Sequence, residues 1–327
     1  MTLLDIQDLA TYYELEGDSV KAVDGVSFSL ERGKTLGLVG ESGCGKTSVM
    51  LSILRLLPEN GKIVRGKILL DGRDLVSIPE DEMREIRWKK ISIVFQNAMN
   101  ALNPVFKVRD QIAEPIIAHE GLSKQETERK VSSLFELVGL PSSHMKSYPH
   151  ELSGGMKQRV MIAMSLACNP DLVIADEPVT ALDVVVQDQI IQKIKEMQTL
   201  RNFSMIVVSH DISVIAETCE SIAVMYGGRI FEYGDSLSVF HDPHHPYTIG
   251  LLGSFPTLRG AKAKLVSIEG NPPDLLNPQK GCLFQPRCPR AEPICKTRPP
   301  KISVKGDHFS ECHFALDPEL RKIQFVR

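Results

Sequence analysis

The stretch Gly40-Glu41-Ser42-Gly43-Cys44-Gly45-Lys46-Thr47 constrains this chain more than any other feature. It follows the short apolar run Thr35 to Val39 and opens the helical run Ser48 to Leu57, so the pattern G-x-x-x-x-G-K-[ST] stands between a strand and a helix. Glycines let successive backbone N–H groups turn toward a phosphate, and the following helix aims its positive end at the same charge. Lys46 is placed to reach the β- and γ-phosphates, and the Thr47 hydroxyl to ligate magnesium. Gly40, Ser42, Gly43, Cys44, Gly45, Lys46, Thr47 and Ser48 are therefore the candidate contacts of an ATP or GTP site.

A phosphate loop needs an acidic partner, and Asp171 to Pro178 supplies one. The apolar strand Leu172 to Ala175 delivers Asp176 and Glu177 at its C-terminal end. Asp176 suits a magnesium ligand, and Glu177 suits the base that orients the attacking water. Ile91 to Phe95 and Met205 to Ser209 are similar brief apolar runs, the pattern of parallel strands buried on both faces. The first seventy residues read as shorter strands: Leu3 to Ile6, Val20 to Leu30 with a turn at Asp24-Gly25, and Gly66 to Leu70. Between about Val108 and Ala167 the period becomes helical, as in Lys124 to Val138 and Gln158 to Ala167.

Leu152-Ser153-Gly154-Gly155-Met156 then makes the chain resemble the ABC ATPases, whose signature loop has this form and this place upstream of the acidic strand. Ser153 and the N–H groups of Gly154 and Gly155 form an anion-binding nest at a helix start. The resemblance implies that this nest closes over the γ-phosphate held by a second subunit. Four further matches follow in family order. Gln96, after Phe95, resembles the Q-loop glutamine that contacts magnesium and the attacking water. Thr180-Ala181-Leu182-Asp183 resembles the D-loop, and Ser209-His210-Asp211 carries the switch histidine. Tyr13 matches the aromatic that stacks on adenine, although Tyr12 adjoins it. Met156, Cys44 and Val179 depart from the commoner family residues without removing a phosphate, magnesium or base group.

The implied fold is α/β, an ABC-type P-loop NTPase over residues 1–240. It has a RecA-like core, an antiparallel β subdomain and a helical subdomain at about 97–167. Residues 241–327 differ in style, with frequent prolines and no regular period, and read as an appendage whose order must come from something other than a large apolar core. Four of the seven cysteines, Cys282, Cys288, Cys295 and Cys312, lie there. Intervals of five, six and sixteen residues between them lack the C-x-x-C pairs of a zinc knuckle, and four thiolates suit either zinc or an iron-sulfur cube.

The long segment after Gln96, through Asn103-Pro104, the run His245-Pro246-Tyr247-Thr248, and the Gly281-Cys282 to Cys288-Pro289 stretch resemble the dipeptide and oligopeptide importers and their nickel and oligosaccharide relatives. That resemblance implies a [4Fe-4S] cluster at the four cysteines. It also implies an ATP-hydrolysing motor on the cytoplasmic side of the membrane, coupled to two membrane permeases. Its second motor subunit is a paralogue, with a homodimer as the alternative, and an extracytoplasmic binding protein delivers cargo indirectly. Peptide is the expected cargo, with oligosaccharide and nickel as alternatives. A soluble ABC protein acting on ribosomes or DNA is the competing class. A net charge of −3 and the lack of paired cassettes speak against it, and against nucleic acid as a partner. No apolar run approaches the roughly 20 residues that span a bilayer, and the N-terminus shows no signal-peptide pattern.

Overall fold

The computed structural model describes residues 1–95, 101–178, 183–254, 268–299 and 301–323. They form two compact units: one comprises Met1, Leu30–Thr35 and Ser77–Val208, and the other Thr2–Ser29, Leu36–Val76 and Ser209–Arg327.

In the first unit three parallel strands, Ile91–Val94, Leu172–Asp176 and Ser204–Val208, pair in that order, with Ile91 opposite Leu172 and Leu172 opposite Ser204. Every residue of the second and third strands is buried, as continuous apolar runs require when both faces are covered. Helices follow where the period is helical: Val108–Glu120, Lys124–Leu137, Gly154–Ser165 and Val184–Arg201. Lys124–Leu137 begins with a capping box, in which the Glu126 N–H donates to Ser123 Oγ and the Ser123 N–H donates to Glu126 Oε2. Its inner face buries Val131, Leu134 and Phe135, each contributing about 1.5–3 kcal/mol by leaving water.

In the second unit the N-terminal residues make an antiparallel sheet in the order Asp18–Glu31, Thr2–Leu15, Gly61–Leu70, Arg73–Asp74. The turn expected at Asp24-Gly25 is instead absorbed within a single 14-residue strand. Gly25 takes φ of +83° there, and the Asp24 N–H donates to the Gly228 carbonyl at 2.8 Å. Glycine can take this left-handed conformation inside a strand without the chain reversing.

The strand Thr35–Val39 pairs in parallel with Ser221–Tyr226, which pairs antiparallel with Arg229–Asp235. The tail corrects the expectation of an appendage. His308–Ser310 pairs with Arg229–Asp235, placing Phe309 opposite Tyr233, and Ile302–Lys305 pairs outside it. The tail also shares an apolar core with the strands it joins: Tyr247, Phe284, Ala315 and Leu320 are fully buried, with Tyr247 and Phe284 packed on Tyr226. Frequent prolines hide this from periodicity, because the buried residues are spaced by turns rather than by helix or strand repeats.

Candidate functional site

The loop Gly40–Thr47 leaves the end of Thr35–Val39 and enters the helix Lys46–Leu54. That helix has Gly45 at its N-cap, no side-chain cap and no acidic residue in its first turn, so its first N–H groups and positive end remain available to an anion. Gly45 is at φ +104°, and a Cβ built there would lie 2.2 Å from the Ala22 carbonyl oxygen; no other residue fits. Ser42 and Gly43 are exposed, whereas Gly40 and Cys44 are buried. Lys46 is 8% exposed. Its Nζ donates to the carbonyls of Gly40 at 2.7 Å and Glu41 at 2.9 Å and lies 3.6 Å from Cys44 Sγ, so the ammonium spans the loop. Burial pushes the Cys44 thiol up, against the pull of Lys46. Thr47 is exposed beside it.

Tyr13 and Tyr12 separate clearly. The Tyr13 hydroxyl donates to Ser48 Oγ at 3.1 Å, in the first turn of the loop's helix, whereas the Tyr12 hydroxyl donates to Asp24 at 3.1 Å. His210 is exposed, next to Ser209, whose N–H donates to the Leu38 carbonyl at 3.4 Å. The histidine thus stands just beyond the end of the strand that feeds the loop. Ser209 Oγ accepts the Asp211 N–H at 2.9 Å, which fixes the chain on its far side.

In the first unit Asp176 is the buried last residue of Leu172–Asp176, opposite Val208. Glu177 follows at φ +46°, a left-handed conformation that is strained for a side chain with a Cβ and typical of functional positions. Its N–H donates to the Val208 carbonyl at 2.8 Å. Ser153 caps the helix Gly154–Ser165 by accepting the Met156 N–H at 3.3 Å, which leaves its own O–H as a donor. Asp183 caps Val184–Arg201 by accepting the Val186 N–H at 3.0 Å. A Cβ on Gly155 would lie 2.7 Å from Val186 Cγ1, so glycine allows these two helix starts to approach. They line an open groove of about 680 Å³ containing Ser153, Gly154, Gly155 and Asp183. Gln96 and Thr180 to Leu182 lie outside the described residues.

The four tail cysteines are brought into one module, with the Cys282 N–H donating to the Cys295 carbonyl at 3.0 Å. All are free thiols. Burial pushes Cys282 up to about 11 and Cys288 and Cys312 up to about 12, and the neighbouring thiols add to each shift. Even so, among the described residues no group of three or more His, Cys, Asp or Glu side chains is arranged to hold a metal ion. The expected four-thiolate centre, cluster or zinc, is not shown by this geometry.

No motif pointed to the residues that hold the loop's edge. Tyr247 Oη accepts the Glu41 N–H at 2.9 Å, and Arg287 binds the Glu41 carboxylate. The run containing Tyr247 could be found by sequence, but its contact could not.

Comparison with known proteins gives the family. Residues 23–180 match the ABC transporter family, and residues 231–295 match the oligopeptide/dipeptide transporter C-terminal region. The dipeptide transport ATP-binding protein DppD of Bacillus subtilis (strain 168) is 44% identical over 95% of this chain and 94% of its own length. The oligopeptide transport ATP-binding protein OppD of Salmonella typhimurium is 45% identical over 95% of this chain and 93% of its own. Among solved structures, the ATP-binding cassette MJ0796, a dimer in a post-hydrolysis state bound to ADP and Pi, superposes with a TM-score of 0.65. It is 27% identical and covers 72% of this chain and 99% of its own. The chain belongs to the ABC transporter family, in the branch of the dipeptide and oligopeptide transport ATP-binding proteins.

Proposed function

We propose that the chain is the ATP-hydrolysing motor of an ABC importer for dipeptides or oligopeptides. The observation that carries this is the uncapped helix start behind Gly40–Thr47, in a chain related over nearly its whole length to peptide-transport ATPases. Gly40, Ser42, Gly43, Cys44, Gly45, Lys46 and Ser48 bind the phosphates through N–H groups and the Lys46 ammonium. Tyr13, tied to Ser48, stacks on adenine. Thr47, Asp176 and Gln96 would hold magnesium, which would neutralise phosphate charge. Their oxygen donors suit that hard cation. Glu177 takes the proton of the attacking water, and His210 holds the γ-phosphate.

Ser153, Gly154 and Gly155 serve the nucleotide of a second motor subunit, a paralogue in this reading, with a homodimer as the alternative. The free Ser153 O–H and the uncovered groove support that role. Two permease subunits and an extracytoplasmic binding protein complete the transporter, with the motor on the cytoplasmic face. Among the described residues no helix is long and apolar enough to cross a membrane.

A metal at Cys282, Cys288, Cys295 and Cys312, a [4Fe-4S] cluster with zinc as the alternative, is a structural element of the tail in this reading. Its support is the gathering of four free thiols in one module; it takes no part in the ATP chemistry.

Glu177→Gln tests the motor. It removes the base while keeping the shape, so MgATP binding persists, turnover falls by about two to four orders of magnitude, and ATP traps a motor dimer visible by gel filtration. Turnover near that of the unaltered chain would remove Glu177 from the role of base.

A further inference from the structure

Arg287 lies in the tail, on the single turn Gln285–Arg287 that Cys288 follows, and 246 residues separate it from Glu41. Its guanidinium is nevertheless inside the protein, with 6% of the side chain exposed. Nη1 donates to Glu41 Oε2 at 2.7 Å and to the Tyr226 hydroxyl at 3.1 Å. Nη2 donates to Glu41 Oε1 at 2.9 Å and to the Ile268 carbonyl at 3.0 Å. Nε donates to the Glu269 carbonyl at 2.9 Å. An arginine has five N–H donors and no acceptor, so this fork is saturated. Its two bonds to one carboxylate are the bidentate arrangement that combines strength with fixed direction.

The carboxylate belongs to the second residue of the phosphate loop, and every polar part of that residue is held. The Glu41 N–H donates to Tyr247 Oη, its side chain takes the Arg287 fork, and its carbonyl accepts from Lys46 Nζ. Beneath lies a bed of packed aromatic rings. Tyr226 and Tyr247 have ring centroids 4.7 Å apart, and Phe284 lies 5.3 and 5.4 Å from them. A glycine-rich loop left to itself must be ordered when nucleotide binds, and that ordering subtracts from affinity. Contacts that hold the loop in advance remove this cost.

We propose that Arg287 and Tyr247 are positioning residues for the phosphate loop: the cysteine-bearing tail braces Glu41, and the motor's affinity for nucleotide depends on that brace. The inference rests on the ATP reading of the loop. A surface ion pair would carry little. This one is buried on the arginine side and bidentate, so removing either partner leaves a charge without its counterpart.

The test is MgATP binding to the full chain by titration calorimetry, with steady-state hydrolysis alongside. Arg287→Ala and Glu41→Ala each raise Kd about tenfold while kcat at saturating ATP stays within about twofold, because pre-ordering acts on binding. The double variant is no weaker than either single, since both break one pair. Arg287→Lys recovers part of the loss, as it keeps the charge but not the fork. Tyr247→Phe, which deletes one hydroxyl, raises Kd about threefold. Additive losses in the double variant, unchanged Kd in a folded Arg287→Ala chain, or a fall in kcat at constant Kd would each overturn the brace. Should Arg287→Ala fail to fold, Glu41→Gln and Tyr247→Phe carry the same test, and unchanged affinity in both overturns it. An unaltered chain that binds no MgATP would instead overturn the ATP reading beneath it.

Discussion

His245 shows what burial does to a single side chain. It is 1% exposed. Its ring lies between Phe231, with centroids 4.6 Å apart, and Phe284, at 6.0 Å. Its Nδ1 accepts the Tyr247 N–H at 3.0 Å, capping the helix Pro246–Gly253. Burial lowers its pKa to about 3, so the folded chain keeps it neutral. The unfolded chain takes up a proton near the ordinary histidine value of about 6.5, and stability therefore falls as pH drops below about 6.5, continuing toward about 3. His245→Asn keeps a capping acceptor but cannot titrate. It should flatten the acid limb of stability against pH by up to about 1.4 kcal/mol per pH unit, read from urea midpoints between pH 7 and 5. An unchanged slope would show that His245 is not a source of the acid sensitivity. The run His245-Pro246-Tyr247 is recognisable in sequence, but the neutral ring is not, because its cause is the aromatic residues packed around it.

At the scale of elements, the tail strand His308–Ser310 is fastened to Arg229–Asp235 by more than its ladder. Glu232 is fully buried, and its Oε1 receives His308 Nε2 at 2.8 Å and the His244 N–H at 2.6 Å. Losing one partner from a buried carboxylate is costly because water cannot replace it. His308→Ala should lower stability by about 2–3 kcal/mol and open the segment around residues 301–312 to limited proteolysis. His308→Gln, which retains an N–H donor, should recover much of this; equal protease resistance in the alanine variant would show that the ladder alone suffices. Eight contiguous residues were enough to place the loop Gly40–Thr47 between its strand and helix, because its geometry is local. The tail strands could not be found that way. Ile302–Lys305 and His308–Ser310 are four and three residues long, too short to show a period, and they exist as strands because an edge was available to pair with.

At the scale of the whole molecule, the metal question is one of folding rather than catalysis. Protein purified anaerobically should be brown and hold about four irons per chain if the tail thiols carry a cube; stoichiometric zinc in colourless protein would change the metal and keep the site. Metal-free protein with an intact, protease-resistant tail would remove the metal and leave the aromatic bed and sheet pairing as sufficient. What the sequence determined by itself is the chemistry written in contiguous motifs: the phosphate loop, the acidic strand end at Asp176-Glu177, and the Ser153-Gly154-Gly155 helix start. In each, residues a few positions apart set both the turn and the groups it presents, so spacing is sufficient information. Only the tertiary structure decided that Asp24-Gly25 lies inside a continuous strand, that Tyr13 rather than Tyr12 meets Ser48, and that the four thiols gather in one module. It also decided that Arg287 reaches Glu41. These depend on packing between segments far apart in the chain, where burial and hydrogen-bond saturation choose the partner and no local spacing encodes it.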